Sequence, residues 1–344
     1  METGGLQGKP LVKNSPFVVS LVIPLHNEQP VLKDLLRRTL SVLDHLEGGA
    51  HELVLVDDGS TDATLAMLED AARRDSRITV VSLSRNFGHQ AAITAGLAYT
   101  AGDAVVVLDG DLQDPPEAIP TLLQQFKDGY DVVYVQRTKR KESWFLRFCY
   151  WAFYRLMNSV SDLALPLDSG DFGLMSRRVV ELLNDLPEHH RYLRGLRSWV
   201  GFRQIGIPIE RSERAAGGSK YSALRLLRLA SDGLLAFSVV PIRFAALVGT
   251  TAMAVAFLYA AYAVVAKLFL HQSPKGFTAL TVLITFLAGI NLLFLGIIGE
   301  YVGRIYEETK ARPLYIVGKL IRGGQEMMPR TSLQAELARA AGGK

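Results

Sequence analysis

Residues 105–117, VVVLDGDLQDPPE, set a short apolar run directly before three aspartates, an amide and two prolines. Val105 to Leu108 reads as a buried strand that the polar and proline residues end. If the backbone stays extended past it, Asp109, Asp111 and Gln113 project to one side, because strand side chains alternate with period two. Three oxygen donors on one side suit a hard divalent ion, Mg²⁺ or Mn²⁺, which keeps several waters and completes its shell with substrate phosphates. An isolated Asp-x-Asp is more often a surface turn. The weight therefore falls on what else the chain delivers to the same place.

Four strand signals alternate with helical patterns over the first 108 residues. Residues 17–25 form a β-branched strand that runs through Pro24 into His26, Asn27 and Glu28, before a helix at 31–46. Residues 52–56 end in Asp57-Asp58-Gly59-Ser60-Thr61-Asp62, whose Ser, Thr and Asp residues suit a helix start near Thr64. Residues 78–83 run into Ser84-Arg85-Asn86-Phe87-Gly88-His89 and a small-residue helix at 91–99, and residues 104–108 are the fourth strand. Such alternation predicts an α/β fold with a mostly parallel sheet, right-handed crossovers and a ligand site at the carboxyl edge. That edge collects Asn27, Glu28, Asp58, Asn86 and the Asp109/Asp111/Gln113 set. Carboxylates there suit a ribose, a uracil imide N–H and a cation-bound diphosphate, although Asp58 also reads as a helix cap. Neither a Gly-x-Gly-x-x-Gly fingerprint nor a Walker lysine loop follows the first strand, which argues against a dinucleotide enzyme or a P-loop NTPase.

The 344 residues are 49% hydrophobic, with the excess in the last third. Apolar runs there predict two transmembrane helices at 241–270 and 277–303, each long enough for a hydrocarbon core of about 30 Å. The turn between them, 271–276, is too short for a domain. Arg243 at the outer end of the first span, with Arg304, Lys310 and Arg312 after the second, puts both outer ends in the cytosol. Asn291, Gly296, Gly299 and Gly303 suit close helix packing. Residues 1–16 lack the apolar core of a secretory signal and read as a flexible leader, and residues 304–344 as a cytosolic tail. A single cysteine, Cys149, fits a reducing compartment. The net charge of +4 lies largely beside apolar segments, which points to a membrane surface and not to nucleic acid.

Between strand signals and spans lie further basic groups. Arg137 leaves a strand at 130–136 at the carboxyl edge, while Lys139, Arg140 and Lys141 read as either a solvated run or phosphate ligands. Residues 143–160 crowd aromatics around Arg147 and Arg155, and residues 222–240 carry Arg225 and Arg228 among leucines. Both suit interfacial helices, or else the core face of a domain. His189 and His190 have no second ligand pair at zinc spacing.

In order, VIPLHNE, LVLVDDGSTDAT, LSRNFGHQAAITAG, LDGDLQDPPE, DSGDFGLMSRR, GGSKY and GEYVGRIYEETKARPLYIV resemble family 2 glycosyltransferases of the GT-A fold. The nearer resemblance is to polyprenyl-phosphate glycosyltransferases of the bactoprenol glucosyltransferase, aminoarabinose-transferase and dolichyl-phosphate mannose synthase kinds, and it covers residues 17–317. It implies a cytosolic GT-A domain at 17–221 on a multi-pass cytoplasmic-membrane hairpin, and a homo-oligomer, a tetramer among the options. The implied reaction is inverting transfer of a hexose from UDP-glucose to undecaprenyl phosphate, with Mg²⁺ or Mn²⁺. Mannose, GlcNAc and aminoarabinose-type sugars are alternatives. The resemblance assigns catalysis to Asp171, Arg214 and Arg137, and donor contacts to Pro24, Asn27, Glu28, Asp58, Asn86 and Asp109. The residue pattern gives the ion to Asp109, Asp111 and Gln113, and the pattern and the resemblance together give the acceptor phosphate to Arg137, Arg147, Arg214, Ser219 and Lys220. Where relatives often carry arginine after the Asp-Phe pair, this chain has Gly173. A processive polysaccharide synthase is disfavoured by the absence of Gln-x-x-Arg-Trp and by only two spans. A non-catalytic lipid-phosphate module is disfavoured by the acidic set.

Overall fold

A computed structural model describes residues 17–137, 169–188, 191–209, 240–269 and 276–328. Arg147, Arg214, Ser219, Lys220, the histidine pair, the leader and nearly all of both expected interfacial helices lie outside them. The chain divides into two units, one holding the sheet and one holding two long helices.

In the sheet unit, β1 (Val19–Leu25), β2 (Glu52–Asp57), β3 (Ile78–Leu83) and β4 (Ala104–Val107) are parallel neighbours in the order β4-β1-β2-β3. They are joined by α1 (Gln29–His45), α2 (Thr64–Arg74) and α3 (His89–Ala98). After α4 (Ile119–Lys127) the chain adds β5 (Val132–Arg137), β6 (Ser169–Ser176), α5 (Arg177–Asp185), α6 (Leu193–Trp199) and β7 (Gln204–Ile209). β6 runs antiparallel to both β4 and β5, so β5 again points its carboxyl end to the edge where β1 to β4 end. The full order is β7-β5-β6-β4-β1-β2-β3-β8-β9, with four parallel and four antiparallel pairings among the described residues. The sheet is mixed, with the expected parallel strands at its centre.

Both faces are covered, which is why the seven residues of β1 are all buried and, Ser20 apart, apolar. Val19, Leu21, Ile23 and Leu25 face one core with Leu32 and Leu35 of α1, Leu68 of α2 and Leu122 of α4. Val22 and the valines of β2 face the other, with α3, α5 and α6. α3 is built of small residues because it lies close on the sheet: a Cβ on Gly96 would fall 2.3 Å from Val22 Cγ1. Pro24 lies inside β1, not at its end. Even-numbered residues of β1 bond toward β4, whose pairing stops at Val107, so the missing proline N–H removes no ladder bond.

Residues expected in a tail instead form β8 (Val317–Arg322) and β9 (Gln325–Met327). β8 pairs antiparallel to β3 and covers an edge that would otherwise expose its N–H and C=O groups. Lys319 reaches Glu69 of α2 at 2.7 Å.

The helical unit contains α7 (Val240–Phe269) and α8 (Phe277–Thr309), the second running past the expected end at 303. Leu247, Phe257, Phe286 and Leu292 are among its many exposed apolar side chains. Among the described residues, one helical segment is long and apolar enough to cross a membrane, 286–309 in α8. A shorter apolar segment, 244–259, lies in α7.

Candidate active site

The polar loops after the parallel strands are tied to one another. Asn27 takes the left-handed conformation (φ 56°), where short polar side chains are tolerated, and its Oδ1 accepts the Thr61 N–H at 2.8 Å. Its own N–H donates to Ser60 Oγ at 3.0 Å. The Glu28 N–H, at the start of α1, donates to Thr64 Oγ1 at 3.0 Å. Asp58 is buried and is not the cap of α2, whose cap is Ala63. Its two oxygens accept the N–H groups of Phe87 (2.7 Å) and Gly88 (2.9 Å), which fixes the loop leading into α3. Gly59 (φ 63°) is required beside it, because a Cβ there would lie 2.6 Å from the Asn86 nitrogen. Asn86 itself is exposed on that loop.

Past β4 the expected extended geometry fails. Leu112 adopts φ 56° and buries its side chain, and the Gln113 N–H donates to Asp111 Oδ1 at 3.1 Å. The chain therefore turns after Asp109, and period-two alternation no longer aligns Asp109, Asp111 and Gln113. Gly110 lets this turn hug β1: a Cβ would fall 2.5 Å from Leu25 Cδ2 and 3.1 Å from the Pro24 carbonyl oxygen.

Asp109 instead converges with residues from other elements. Val107 pairs with Gly173 across β4 and β6, and continuing that register sets Asp109 opposite Asp171. His89, the first residue of α3, completes a group whose ligating atoms all lie within 4.8 Å of one another. Its Nε2 is 3.2 Å from Asp171 Oδ2 and 3.5 Å from Asp109 Oδ1. Asp111 is outside this group. Two carboxylates and an imidazole form an oxygen and nitrogen donor set that fits a divalent ion.

Asp171 is the most constrained member. Arg194 of α6 donates through Nε to Oδ1 at 2.8 Å and through Nη2 to Oδ2 at 3.1 Å. Gln90 Nε2 donates to Oδ2 at 3.4 Å, while Gln90 Oε1 accepts the Leu193 N–H at 2.9 Å. Burial alone would raise the Asp171 pKa, but the hydrogen bonds and charges of His89 and Arg194 hold it well below the usual carboxylate range. For His89 burial works downward, and the Asp171 hydrogen bond and the two carboxylate charges outweigh it, raising the imidazole above its ordinary value. Arg197 is buried one turn further along α6, and burial lowers its pKa to about 10. Its guanidinium fills the space beside Gly173, where a Cβ would lie 3.1 Å from Nη1 and 2.7 Å from the Val133 carbonyl oxygen. That contact accounts for glycine at 173.

Sequence reasoning located Asp109 and Asp171 but missed His89, Gln90, Arg194 and Arg197. The signal available was LSRNFGHQ at a strand end and RYLRGLR downstream, with nothing local to connect them. Arg137 closes β5 at the same edge, opposite Ile209 of β7.

An α/β sheet with acidic and cationic groups gathered at the carboxyl edge of its parallel strands presents them where such folds bind their ligands. Residues 20–183 match Glycosyl transferase family 2, and residues 240–305 match the GtrB C-terminal hairpin. The chain is 44% identical over 301 residues to the uncharacterized glycosyltransferase YkcC of Bacillus subtilis (strain 168), covering 87% of this chain and 93% of that one. It is 38% identical over 301 residues to the bactoprenol glucosyl transferase of Shigella phage SfX, covering 87% and 98%. It is 36% identical over 315 residues to the undecaprenyl-phosphate 4-deoxy-4-formamido-L-arabinose transferase of Edwardsiella ictaluri (strain 93-146), covering 89% and 95%. Among solved structures, the mannosyltransferase PcManGT of Pyrobaculum calidifontis is 18% identical with a TM-score of 0.41, covering 89% of this chain and 90% of that one. The chain belongs to glycosyltransferase family 2, in the group that carries a GtrB C-terminal hairpin.

Proposed function

We propose that this glycosyltransferase moves a hexose, glucose from UDP-glucose, onto undecaprenyl phosphate at the cytosolic face of the cytoplasmic membrane, with inversion at the anomeric carbon. The product is a lipid-linked sugar donor. The observation that carries this reading is the His89, Asp109 and Asp171 group at the carboxyl edge. The likeness to two transferases named for bactoprenol and undecaprenyl phosphate, together with the matched hairpin, supports a polyprenyl acceptor. Two crossings, by α7 and α8, and assembly into a homo-oligomer complete the proposal.

Asp109, with His89 and Asp171, would hold Mg²⁺ or Mn²⁺, and Asp111 and Gln113 stand in the adjoining turn. When bound, such an ion supplies charge stabilisation for the departing nucleoside diphosphate. Pro24, Asn27, Glu28, Asp58 and Asn86 lie on the strand ends and loops assigned to the donor nucleotide. The acceptor phosphate is ionised near neutrality, with a second pKa of about 6, so attack needs orientation more than proton removal. Asp171, whose carboxyl the His89 and Arg194 contacts hold low, is assigned to orienting the acceptor or balancing charge ahead of proton removal. Arg137 and Arg214, with Arg147, Ser219 and Lys220, are assigned to the phosphates that meet there.

The test is transfer by purified protein in detergent, with undecaprenyl phosphate and a panel of labelled nucleotide sugars, with and without EDTA. One sugar transferred per lipid, with glucose preferred and activity lost to chelator, is the expected result. Polymer formation, or no transfer from any donor, would defeat the proposal.

A further inference from the structure

Asp171 is asked to serve two cations. Both of its oxygens already accept from the Arg194 guanidinium, at 2.8 and 3.1 Å, in the fork geometry that matches a carboxylate. Oδ2 also receives His89 Nε2 and Gln90 Nε2. Each carboxylate oxygen offers about two lone-pair sites, so Oδ2, which faces His89 and takes three of these four donors, is filled, while Oδ1 carries one. Yet the same carboxylate belongs to the group whose spacing fits a divalent ion.

The surroundings allow the guanidinium to leave without unfolding the site. The Arg194 side chain is 30% exposed, whereas that of Asp171 is 7% exposed, so the arginine has a path to solvent and the aspartate has none. The start of α6 is pinned by the Leu193 N–H on Gln90 Oε1, which keeps the backbone in place while the side chain moves. The Tyr192 ring, 6.0 Å from Arg194 Cζ, offers a nearby resting face.

We propose that Arg194 is a positioning residue that competes with the divalent ion for Asp171: it clamps both oxygens in the ion-free protein and gives up at least one as the ion enters. This rests on the reading of His89, Asp109 and Asp171 as the cation site. Its consequence is that wild-type affinity for the ion is set below what the ligands alone would give.

Full-length protein in detergent is titrated with Mn²⁺ alone, and the free ion is read from its six-line electron paramagnetic resonance signal. Melting temperature is recorded for each variant. Arg194→Gln is expected to bind Mn²⁺ about tenfold tighter, the worth of one charge-assisted hydrogen bond no longer broken. Arg194→Lys keeps the charge but cannot span both oxygens, and it is expected to tighten binding by a smaller factor. Tightening in the glutamine variant alone would mean that removal of charge, and not shared oxygens, is responsible, and would overturn the proposal. Unchanged or weaker binding in a folded lysine variant would overturn it too. Absence of Mn²⁺ binding by wild type, or binding indifferent to Asp109→Asn, would sink the cation site along with it.

Discussion

Asp109 and Asp111 are separated by one glycine and have different surroundings. Asp109 faces Asp171 and His89, while Asp111 accepts the Gln113 N–H in its own turn. Two residue-scale outcomes follow. Asp109→Asn is expected to lower ion-dependent transfer by about 10²-fold or more, as preorganised charge stabilisation is lost, with little change in melting temperature. A rate within a few fold of wild type at saturating Mn²⁺ would remove Asp109 from the site. Gly110→Ala keeps both carboxylates but pushes their turn off the Pro24 carbonyl and Leu25. It is expected to cost about tenfold in transfer, on the scale known for displaced supporting groups, and a wild-type rate would show that the turn tolerates displacement. Only part of this chemistry was legible from residue types. The strand end and its acidic residues were visible, whereas a left-handed Leu112 has no sequence signature, because bulky residues rarely adopt that conformation.

Elements hold the site through close packing and a few ionic ties. α3 presents His89 and Gln90, and it can do so only while Gly96 lets it lie on Val22 and Val56. Gly96→Ala is expected to destabilise the protein by about 1–3 kcal/mol, as overpacked cores do, with a lower melting temperature and impaired transfer together. An unaltered melting temperature would show that the helix can shift without penalty. At the opposite edge, Arg77 leads into β3 and bonds both Asp75 at the end of α2 and Asp44 of α1. The hydrogen bonds from Arg77 outweigh burial and hold the Asp75 carboxyl below its ordinary value. The unfolded chain titrates near 3.9, so this stabilisation is present at neutral pH and is lost as the pH falls through the lower folded value. Asp75→Asn is thus expected to lie about 1 kcal/mol below wild type at pH 7, discounted for partial exposure. The gap in melting temperature should close as the pH falls through the lowered folded value; a gap independent of pH would exclude the ion pair as its source.

At the scale of the whole molecule, the chain leaves the sheet unit for two long helices and then returns. β8 pairs with β3 from Thr79 to Leu83, and the Ser84 N–H donates to the Ile316 carbonyl at 2.9 Å. The strand after the hairpin is therefore part of the catalytic unit's edge and not a free extension. A chain ending at residue 312 is expected to lose several degrees of melting temperature and to aggregate in detergent, because β3 becomes an open apolar edge. A monodisperse truncated protein with the wild-type melting temperature would refute this.

The sequence by itself determined the alternation of strands and helices, the delivery of polar residues to one sheet edge and the two long apolar helices. These are properties of local pattern: periodicity, caps and composition act over a few residues. Tertiary structure decided which side chains meet. The register of β6 on β4 sets Asp171 opposite Asp109, α3 brings in His89 across 82 residues, and α6 adds Arg194. It also decided that Asp111 falls outside the His89, Asp109 and Asp171 group and that β8 covers the β3 edge. Such outcomes depend on the pairing of distant strands and on where a packed helix places its first residue, neither of which is encoded in any one stretch. The acidic segment at 105–117 thus names the edge where chemistry can occur, and the fold supplies the partners that make it a site.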